Sequence, residues 1–312
     1  MKYLEFVNSL LKSEVVKHDN LVLFGQNINA GSCLGGLTRG LVIKDRGRVI
    51  NSTNSENTLC GFGFGMMING VSSIFFMKQL DFLLLGIDHL VNTYNIIRNM
   101  KQENASFTIM PIVVDNGYQG PQSSFNNLPD ICSIARISGF SISTKWEAEK
   151  IISNELVSPG FRIITISQRL FKEELPSPEK LYYSNDDNTV FQYGSGNDVT
   201  IVCFNFSFPQ GYDLYQELKK NNINASIFNV TSATPTNWDR IIEDVQNTKK
   251  IVIMDDSKSQ NLSCDALVTD IHLKFDLKKK IILKRTLSDN WLDPVSDKME
   301  IDTKSIINEL SN

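Results

Sequence analysis

The feature that most constrains the fold of this chain is a series of short apolar runs that recur along its whole length. The runs are rich in β-branched and aromatic residues and are too short to be helices. They are Leu21–Gly25, Val71–Met77, Phe107–Asp115, Phe161–Ser167, Val199–Phe206, Asn224–Val230 and Lys250–Asp256. Continuous apolar runs of this length predict strands that are buried on both faces.

Helix signals fill the segments between these runs. In the stretch 81–99, six apolar side chains fall on one face at helical spacing, namely Leu83, Ile87, Leu90, Val91, Tyr94 and Ile97. Thr144 stands three residues before Glu147, which is the spacing of a capping box at a helix N-terminus. Strands that alternate with helices in this way predict an α/β fold with mainly parallel sheets.

A polar segment over 173–198, with two prolines and two glycines, interrupts the alternation. Such a composition indicates a linker, and 312 residues are enough for two domains of ordinary size. We therefore predict an N-terminal domain over 1–180, a linker over 181–197 and a C-terminal domain over 198–312.

Composition excludes several classes of protein. The formal net charge is −4, whereas nucleic-acid-binding proteins are usually basic. The lysine-rich run Asp276–Arg285 is interpreted as an exposed edge of a strand or helix. No run approaches 18 uninterrupted apolar residues, and the N-terminus has an acid at Glu5 and no signal-peptide cleavage site. We expect no nucleic-acid partner, no membrane association and a cytoplasmic location.

The cysteines and histidines show no spacing that is typical of disulfide frameworks or metal sites. The five cysteines are scattered and contain no C-x-x-C pair, and the three histidines, His18, His89 and His272, have no metal-ligand spacing. The sequence therefore predicts neither disulfides nor a metal site on this chain.

The segment Gly47–Gly65 places one acid, Glu56, before glycines at positions 61, 63 and 65. A dinucleotide-binding fingerprint needs G-x-G-x-x-G directly after a strand, and here the third glycine is misplaced and the acid precedes the run. We interpret the glycines as residues that let a helix approach another backbone closely, in the core or a subunit interface. Glu56 is then expected near the helix N-terminus, where the helix dipole favours an anion.

This part of the chain resembles the beta subunit of the thiamine-diphosphate-dependent 2-oxo-acid dehydrogenases, the first component of the pyruvate and branched-chain complexes. It resembles more distantly the second half of transketolase. The family run R-V-x-(D/N)-T-P-I-x-E-x-x-x-x-G-x-A-x-G-x-A-x-x-G leads into D-F-x-x-x-A-x-D-Q-I-x-N. In the same register stand Arg48, Glu56, the glycines, Asp81, Phe82, Asp88 and Asn92. The resemblance implies a pyrimidine-binding domain followed by a transketolase C-terminal-type domain.

The resemblance gives Glu56 and Phe82 specific roles. In the family, the acid at the position of Glu56 is catalytic and bonds a ring nitrogen of the cofactor's aminopyrimidine. A carboxylate held away from water shares a proton with that ring and favours its imino form, which removes the thiazolium proton at close range. Phe82 matches the aromatic residue that packs on the ring. On patterning alone, Glu56 would be an ordinary helix acid, Phe82 a core residue and His89 a packing or surface residue.

The resemblance also implies a partner. In this family a G-D-G motif and a later asparagine hold the cofactor's diphosphate through Mg²⁺, and this chain contains no G-D-G. In split members, that motif belongs to an alpha-type subunit. We therefore expect thiamine diphosphate to be shared with such a partner, which binds the Mg²⁺, in a two-plus-two heterotetramer.

Three departures from the family pattern concern the site. The family's active-site loop usually ends in Q-H-S-Q, whereas this chain keeps Gln122 and has Ser123 in place of the histidine. Serine cannot shuttle protons near neutral pH. The motif G-E-D after the first strand is G-Q-N here, so Gln26 replaces an acid, and T-P-I before Glu56 is T-N-S. Gln122 and Ser123 remain candidate active-site loop residues.

These observations predict a beta-type subunit of a thiamine-diphosphate-dependent oxidoreductase or transferase that is active only with its partner. The reaction would be decarboxylation of a 2-oxo acid with acyl or aldehyde transfer, or ketol transfer. The alternative is a catalytically degenerate subunit with a structural or regulatory role in such a complex. An unrelated α/β binding protein is the third hypothesis.

Overall fold

The computed structural model describes residues 1–44, 46–117, 125–285 and 296–311. Its first half builds a six-stranded, all-parallel sheet in the order β2-β1-β3-β4-β6-β5. The strands are β1 (Leu21–Gly25), β2 (Arg48–Asn51), β3 (Ser72–Met77), β4 (Ser106–Val113), β5 (Gly139–Ser141) and β6 (Gly160–Ser167). The neighbouring interior strands β4 and β6 are buried along their whole length, as their largely apolar sequences predict.

The second half builds another six-stranded sheet, in the order β12-β11-β9-β10-β8-β7. Its strands are β7 (Tyr183–Ser184), β8 (Val190–Gly194), β9 (Val199–Phe204), β10 (Ala225–Val230), β11 (Lys250–Asp255) and β12 (Lys279–Lys284). Strands β9 to β12 run parallel, and the hairpin β7–β8 runs antiparallel to its neighbours. The predicted α/β fold with two mainly parallel sheets is confirmed, and all seven predicted strands are present.

The segment 181–197, predicted as a linker, instead contributes β7 and β8 to the second sheet. Its polar residues form the turn of a hairpin, because the side chain of Asn185 accepts hydrogen bonds from the backbone N–H groups of Thr189 and Val190 at 2.8 and 3.0 Å. Strand β8 is fully buried, so this segment belongs to the second core. The domain bounds 1–180 and 198–312 stay predictions.

Helices cover both sheets. The α-helices are α1 (Tyr3–Val15), α2 (Glu56–Ile68), α3 (Tyr94–Asn99), α4 (Leu128–Ala135), α5 (Lys145–Glu155), α6 (Phe208–Lys220), α7 (Asp239–Thr248), α8 (Asp265–Lys274) and α9 (Thr303–Ser311). The capping box predicted at Thr144 and Glu147 is present at the start of α5. Among the described residues, no helix is long and apolar enough to span a membrane.

The stretch 81–99 buries the predicted face but is not one α-helix. It begins as a 3₁₀ segment, Leu80–Gly86, continues as a π-helical turn, His89–Thr93, and ends as α3. Gly86 ends the 3₁₀ segment where a Cβ would lie 2.5 Å from the Sγ of Cys60 on α2. Close contact with α2 therefore accompanies the change of helix type, a change that apolar spacing does not reveal.

The lysine-rich run forms β12, an edge strand, which confirms its interpretation as an exposed edge. Charged side chains on an edge strand discourage pairing with other chains. The carboxyl ends of central strands from both sheets meet in the interior at Arg169. Its Nη2 lies 2.5 Å from the Oδ2 of Asp256, and its Nε lies 3.6 Å from the Oδ2 of Asp115. This ion cluster joins the residues that follow β4, β6 and β11.

Candidate active site

Glu56 is the first residue of α2, as predicted from the segment that precedes the glycines. The chain leaves β2 at Asn51 and turns through residues 52–55 before the helix begins, and the hydroxyl of Ser55 donates a hydrogen bond to that of Thr58 at 2.8 Å. The Glu56 side chain is half-buried. A carboxylate in the first turn of a helix faces unpaired backbone N–H groups, which stabilise its charged form.

The glycines of α2 bring the helix close to its neighbours. A Cβ on Gly63 would lie 2.1 Å from the ring of Phe107 in β4, and a Cβ on Gly61 would lie 3.2 Å from the Nε2 of His89. The packing interpretation is therefore confirmed at these two positions. A Cβ on Gly65 meets no described atom within 4 Å. Gly63 therefore faces the sheet, and Gly65 lies on the outer side of the helix.

His89 has a packing contact with this helix. Its ring lies beside Gly61, and its Nδ1 is 2.9 Å from the hydroxyl oxygen of Thr93, one turn along the same π-helical segment. The ring is half-buried. These contacts agree with the prediction of a packing histidine.

Glu56 lines a shallow depression at the carboxyl-terminal edge of the first sheet, which we call the Glu56 cavity. Gln26 and Lys78, which follow β1 and β3, line it together with Thr53 and Asn54. Its volume is about 10 Å³, which is about the least space that admits one water molecule. The described residues alone therefore do not enclose an aminopyrimidine ring here, and a ring bound at Glu56 needs a cover from elsewhere.

Phe82 lies on the 3₁₀ segment Leu80–Gly86, half-buried against the first core. This segment packs on α2, and a Cβ on Gly86 would lie 3.6 Å from the carbonyl oxygen of Glu56. The structure thus brings the elements that carry Glu56 and Phe82 together. Phe82 itself is absent from the described lining of the Glu56 cavity.

Gln122 and Ser123 lie outside the described residues. The chain beyond them is anchored next to Phe82, because the Oδ1 of Asp81 accepts a hydrogen bond from the backbone N–H of Phe125 at 3.0 Å. Burial raises the pKa of the Asp81 carboxyl, and the Phe125 hydrogen bond and the charge of Lys258 oppose that rise. Asp81 therefore fixes the end of the candidate loop relative to Phe82.

Two residues at this edge of the sheet were not predicted as site residues, although Asp81 stands in register with the family motif. Lys78 directly follows β3 and lines the Glu56 cavity, and Asp81 is buried and accepts the hydrogen bond from Phe125. Both follow a predicted strand at its carboxyl end, where parallel sheets hold their ligands. That position was the signal that could have identified them.

Within residues 1–44, 46–117, 125–285 and 296–311, no group of three or more His, Cys, Asp and Glu side chains is arranged to hold a metal ion. A divalent metal that binds a diphosphate would therefore not find its ligands in a cluster of His, Cys, Asp and Glu side chains within these residues.

Comparisons with known proteins agree with this geometry. The pyruvate dehydrogenase E1 component subunit beta of Staphylococcus epidermidis is 20% identical over 272 residues, which cover 83% of this chain and 81% of that protein. The subunit of the same name from Staphylococcus aureus is 21% identical with the same coverage. A solved structure, a split-gene transketolase in an inactive beta4 tetramer, matches with a TM-score of 0.70 and 13% identity over 98% of this chain and 96% of that one. No protein-family model matches the chain.

The two mainly parallel sheets, with Glu56 at the carboxyl-terminal edge of the first, give an α/β fold that is shared with the split-gene transketolase structure. In sequence, the chain is a divergent relative of the pyruvate dehydrogenase E1 component subunits beta, at 20–21% identity. By their names, both relatives are beta subunits of an enzyme component.

Proposed function

We propose that this chain is the beta-type half of a thiamine-diphosphate enzyme and supplies Glu56 to a cofactor site shared with an alpha-type subunit. The observation that carries this proposal is the position of Glu56 as the first residue of α2 beside the carboxyl ends of β1 and β3. In parallel sheets this edge is the usual ligand-binding edge. The proposed reaction is decarboxylation of a 2-oxo acid with acyl or aldehyde transfer, or ketol transfer.

Glu56 would hold a proton shared with a ring nitrogen of the aminopyrimidine. When bound, the cofactor supplies a thiazolium carbon that acts as the nucleophile and electron sink beside the substrate carbonyl. Covering the half-buried carboxylate with a second chain would exclude water and strengthen this hydrogen bond.

Phe82 would pack on the same ring. Its side chain is only half-buried, and the 3₁₀ segment that carries it is held against α2 by the close contact of Gly86 with Cys60. An aromatic side chain on a fixed segment orients a ring by offset stacking. Phe82 lies outside the described lining of the Glu56 cavity, so this role would require a ring that extends beyond that cavity.

The small volume of the Glu56 cavity supports a shared site. An open depression of about 10 Å³ fits the proposal that an alpha-type subunit closes over the cofactor and provides the metal and diphosphate ligands. We further propose that Gly65 and Phe62 on the outer side of α2 lie in a contact between subunits, because Phe62 is 61% exposed there. Such packing would complete a two-plus-two heterotetramer.

The test is titration of thiamine diphosphate and Mg²⁺ into this chain purified with its alpha-type partner. Glu56→Gln keeps the shape of the side chain and removes its charge, so cofactor affinity and turnover should both fall. Glu149→Gln on the exposed face of α5 is the matched control and should change neither. Unchanged affinity and turnover in the Glu56→Gln complex would contradict the proposed role of Glu56.

A degenerate subunit with a structural or regulatory role is the second candidate. Ser123 favours it, because it occupies the position of the family's loop histidine. The structural neighbour is also named an inactive beta4 tetramer, a description of that protein alone. This candidate predicts a stable complex that shows no thiamine-diphosphate-dependent turnover. Cofactor-dependent turnover that falls in the Glu56→Gln complex excludes it.

A further inference from the structure

Two hydrogen bonds tie Asn126, which is 1% exposed, to the second half of the chain. Its side-chain amide donates to the carbonyl oxygen of Asp256 at 2.8 Å, and its own carbonyl oxygen accepts from the backbone N–H of Lys258 at 3.1 Å. Both partners lie just beyond the carboxyl end of β11. Because one loop holds Asn126 at a side-chain atom and at a main-chain atom, its position and its orientation are both fixed.

The loop after β11 is itself held in place by the fully buried side chain of Asp256. Its Oδ1 accepts a hydrogen bond from the backbone N–H of Phe206 at 3.2 Å, and its Oδ2 pairs with the guanidinium of Arg169 at 2.5 Å. Satisfied polar networks in a buried setting make the segments that they join rigid. Asn126 is therefore attached to a rigid part of the second half.

The preceding residue, Phe125, is tied to the segment that carries Phe82. The backbone N–H of Phe125 donates to the Oδ1 of Asp81 at 3.0 Å, and Asp81 directly precedes Phe82. Since Phe125 and Asn126 are neighbours in the sequence, a single peptide unit joins the two attachments. A continuous path of bonded groups leads from the second half to Phe82.

Asn127 makes a comparable contact that lies off this path. Its amide donates to the hydroxyl oxygen of Ser259 at 3.1 Å, and that hydroxyl donates to the Oδ2 of Asp130 at 2.7 Å. This contact joins the same two parts of the chain but leads to α4. It therefore provides a control that loosens the junction without breaking the path to Phe82.

We infer that Asn126 is a positioning residue, through which the second half of the chain sets the place of Phe82 relative to Glu56. This inference rests on the proposed function, in which Phe82 packs on the cofactor ring that bonds Glu56. A misplacement of about 1 Å can lower a rate about 10²-fold, and a group is held most precisely when its supporting residues are fixed. The second half thus acts on the reaction through Asn126.

The first measurement is hydrogen–deuterium exchange of the full chain without cofactor, so its result does not depend on the proposed function. Asn126→Ala removes the side-chain donor. Peptides that contain Phe82 or Phe125 should then exchange about fivefold faster, the effect of losing one buried hydrogen bond. Ser259→Ala should leave the exchange of both peptides as in the parent chain. Unchanged exchange of these peptides in Asn126→Ala overturns the inference.

The second measurement is a double-mutant cycle on kcat in the complex with the alpha-type partner, saturated with thiamine diphosphate and Mg²⁺. Asn126→Ala should lower kcat about tenfold and leave KM nearly unchanged, whereas Ser259→Ala should change neither. In a Phe82→Leu background, Asn126→Ala should have little further effect, because the residue through which it acts is gone. Equal losses of kcat in both backgrounds, which a general loosening of the junction would give, overturn the inference.

A second variant separates the hydrogen bond from the space that alanine leaves. Asn126→Leu keeps most of the side-chain volume but has no donor, so it should repeat both results. Parent-like exchange and kcat in Asn126→Leu would assign the alanine effect to a cavity and overturn the inference. A complex whose turnover changes in neither Glu56→Gln nor Phe82→Leu would contradict the proposed function instead.

Discussion

At the scale of single residues, the clearest feature of this chain is its buried ionisable side chains. Glu147 is completely buried at the N-terminus of α5, and its Oε1 accepts hydrogen bonds from the hydroxyl of Tyr193 and the amide of Asn229, both at 2.8 Å. Burial raises the pKa of this carboxyl, and these donors oppose the rise. The sequence predicted Glu147 as a capping residue. Tyr193 and Asn229 are 46 and 82 residues away in the sequence. Local spacing therefore could not show that Glu147 also accepts these two hydrogen bonds.

Asp297 gives a pH-dependent prediction. It is fully buried, 2.9 Å from the Nε of Arg285 and 3.4 Å from the Nζ of Lys258. Burial raises its pKa from 3.8 to about 7, Asp256 and Asp115 add to the rise, and the two cations oppose it. Because the folded-state pKa is the higher one, the stability this group contributes is fully present below about pH 4 and is lost as the pH rises through 7.

Replacing this carboxyl removes that dependence. The free energy of unfolding of Asp297→Asn, relative to the parent chain, should rise between pH 5 and pH 8 in urea denaturation. The exposed Asp187→Asn in the β7–β8 turn is the control and should give a flat difference. A flat difference for Asp297→Asn as well would show that its folded-state pKa is not raised.

At the scale of elements, α2 shows how far sequence patterning reaches. The spacing of glycines predicted a closely packed helix with Glu56 at its start, and both features are present. The pattern did not say which glycine faces the sheet, because that depends on the helix rotation set by Phe107 in β4. The hairpin β7–β8 was missed for a related reason, since its turn is polar and its burial depends on pairing with β10.

Two glycines of α2 provide a matched pair of substitutions. Gly63→Ala places a Cβ against the Phe107 ring and should destabilise the chain by about 1–3 kcal/mol through overpacking. Gly65→Ala meets no described neighbour within 4 Å and should stabilise the isolated chain by up to about 1 kcal/mol, because alanine favours helix. Urea denaturation of both variants measures the difference. Equal effects would contradict a rotation of α2 that turns Gly63 toward the sheet and Gly65 away from it.

At the scale of the whole molecule, the two sheets are joined through buried polar contacts. The backbone N–H of Ser141 donates to the carbonyl of Thr231 at 2.7 Å, and the Asn126 amide donates to the carbonyl of Asp256 at 2.8 Å. Seven of the strands and their alternation with helices were readable from the apolar runs. These contacts were not, because each joins groups that are distant in the sequence.

Arg169 is the charged centre of that junction. Its side chain is 9% exposed, and the carboxylates of Asp115 and Asp256 are fully buried. Arg169→Leu would leave both acids buried without their cation, which typically costs about 3–5 kcal/mol. Lys220→Ala breaks an exposed pair with Glu217 and should cost less than about 1 kcal/mol. A loss below about 1 kcal/mol for Arg169→Leu in urea denaturation would show that the cluster does not hold the sheets together.

The central claim is that Glu56 activates a cofactor shared with a second chain. Its most direct test is the rate at which the thiazolium proton of bound thiamine diphosphate exchanges with deuterium, followed by NMR in the complex with the alpha-type partner. Glu56→Gln should slow this exchange by about 10²–10⁴-fold, the usual contribution of a positioned acid–base group, while Glu149→Gln leaves it unchanged. Equal exchange rates in the parent and Glu56→Gln complexes would contradict the claim.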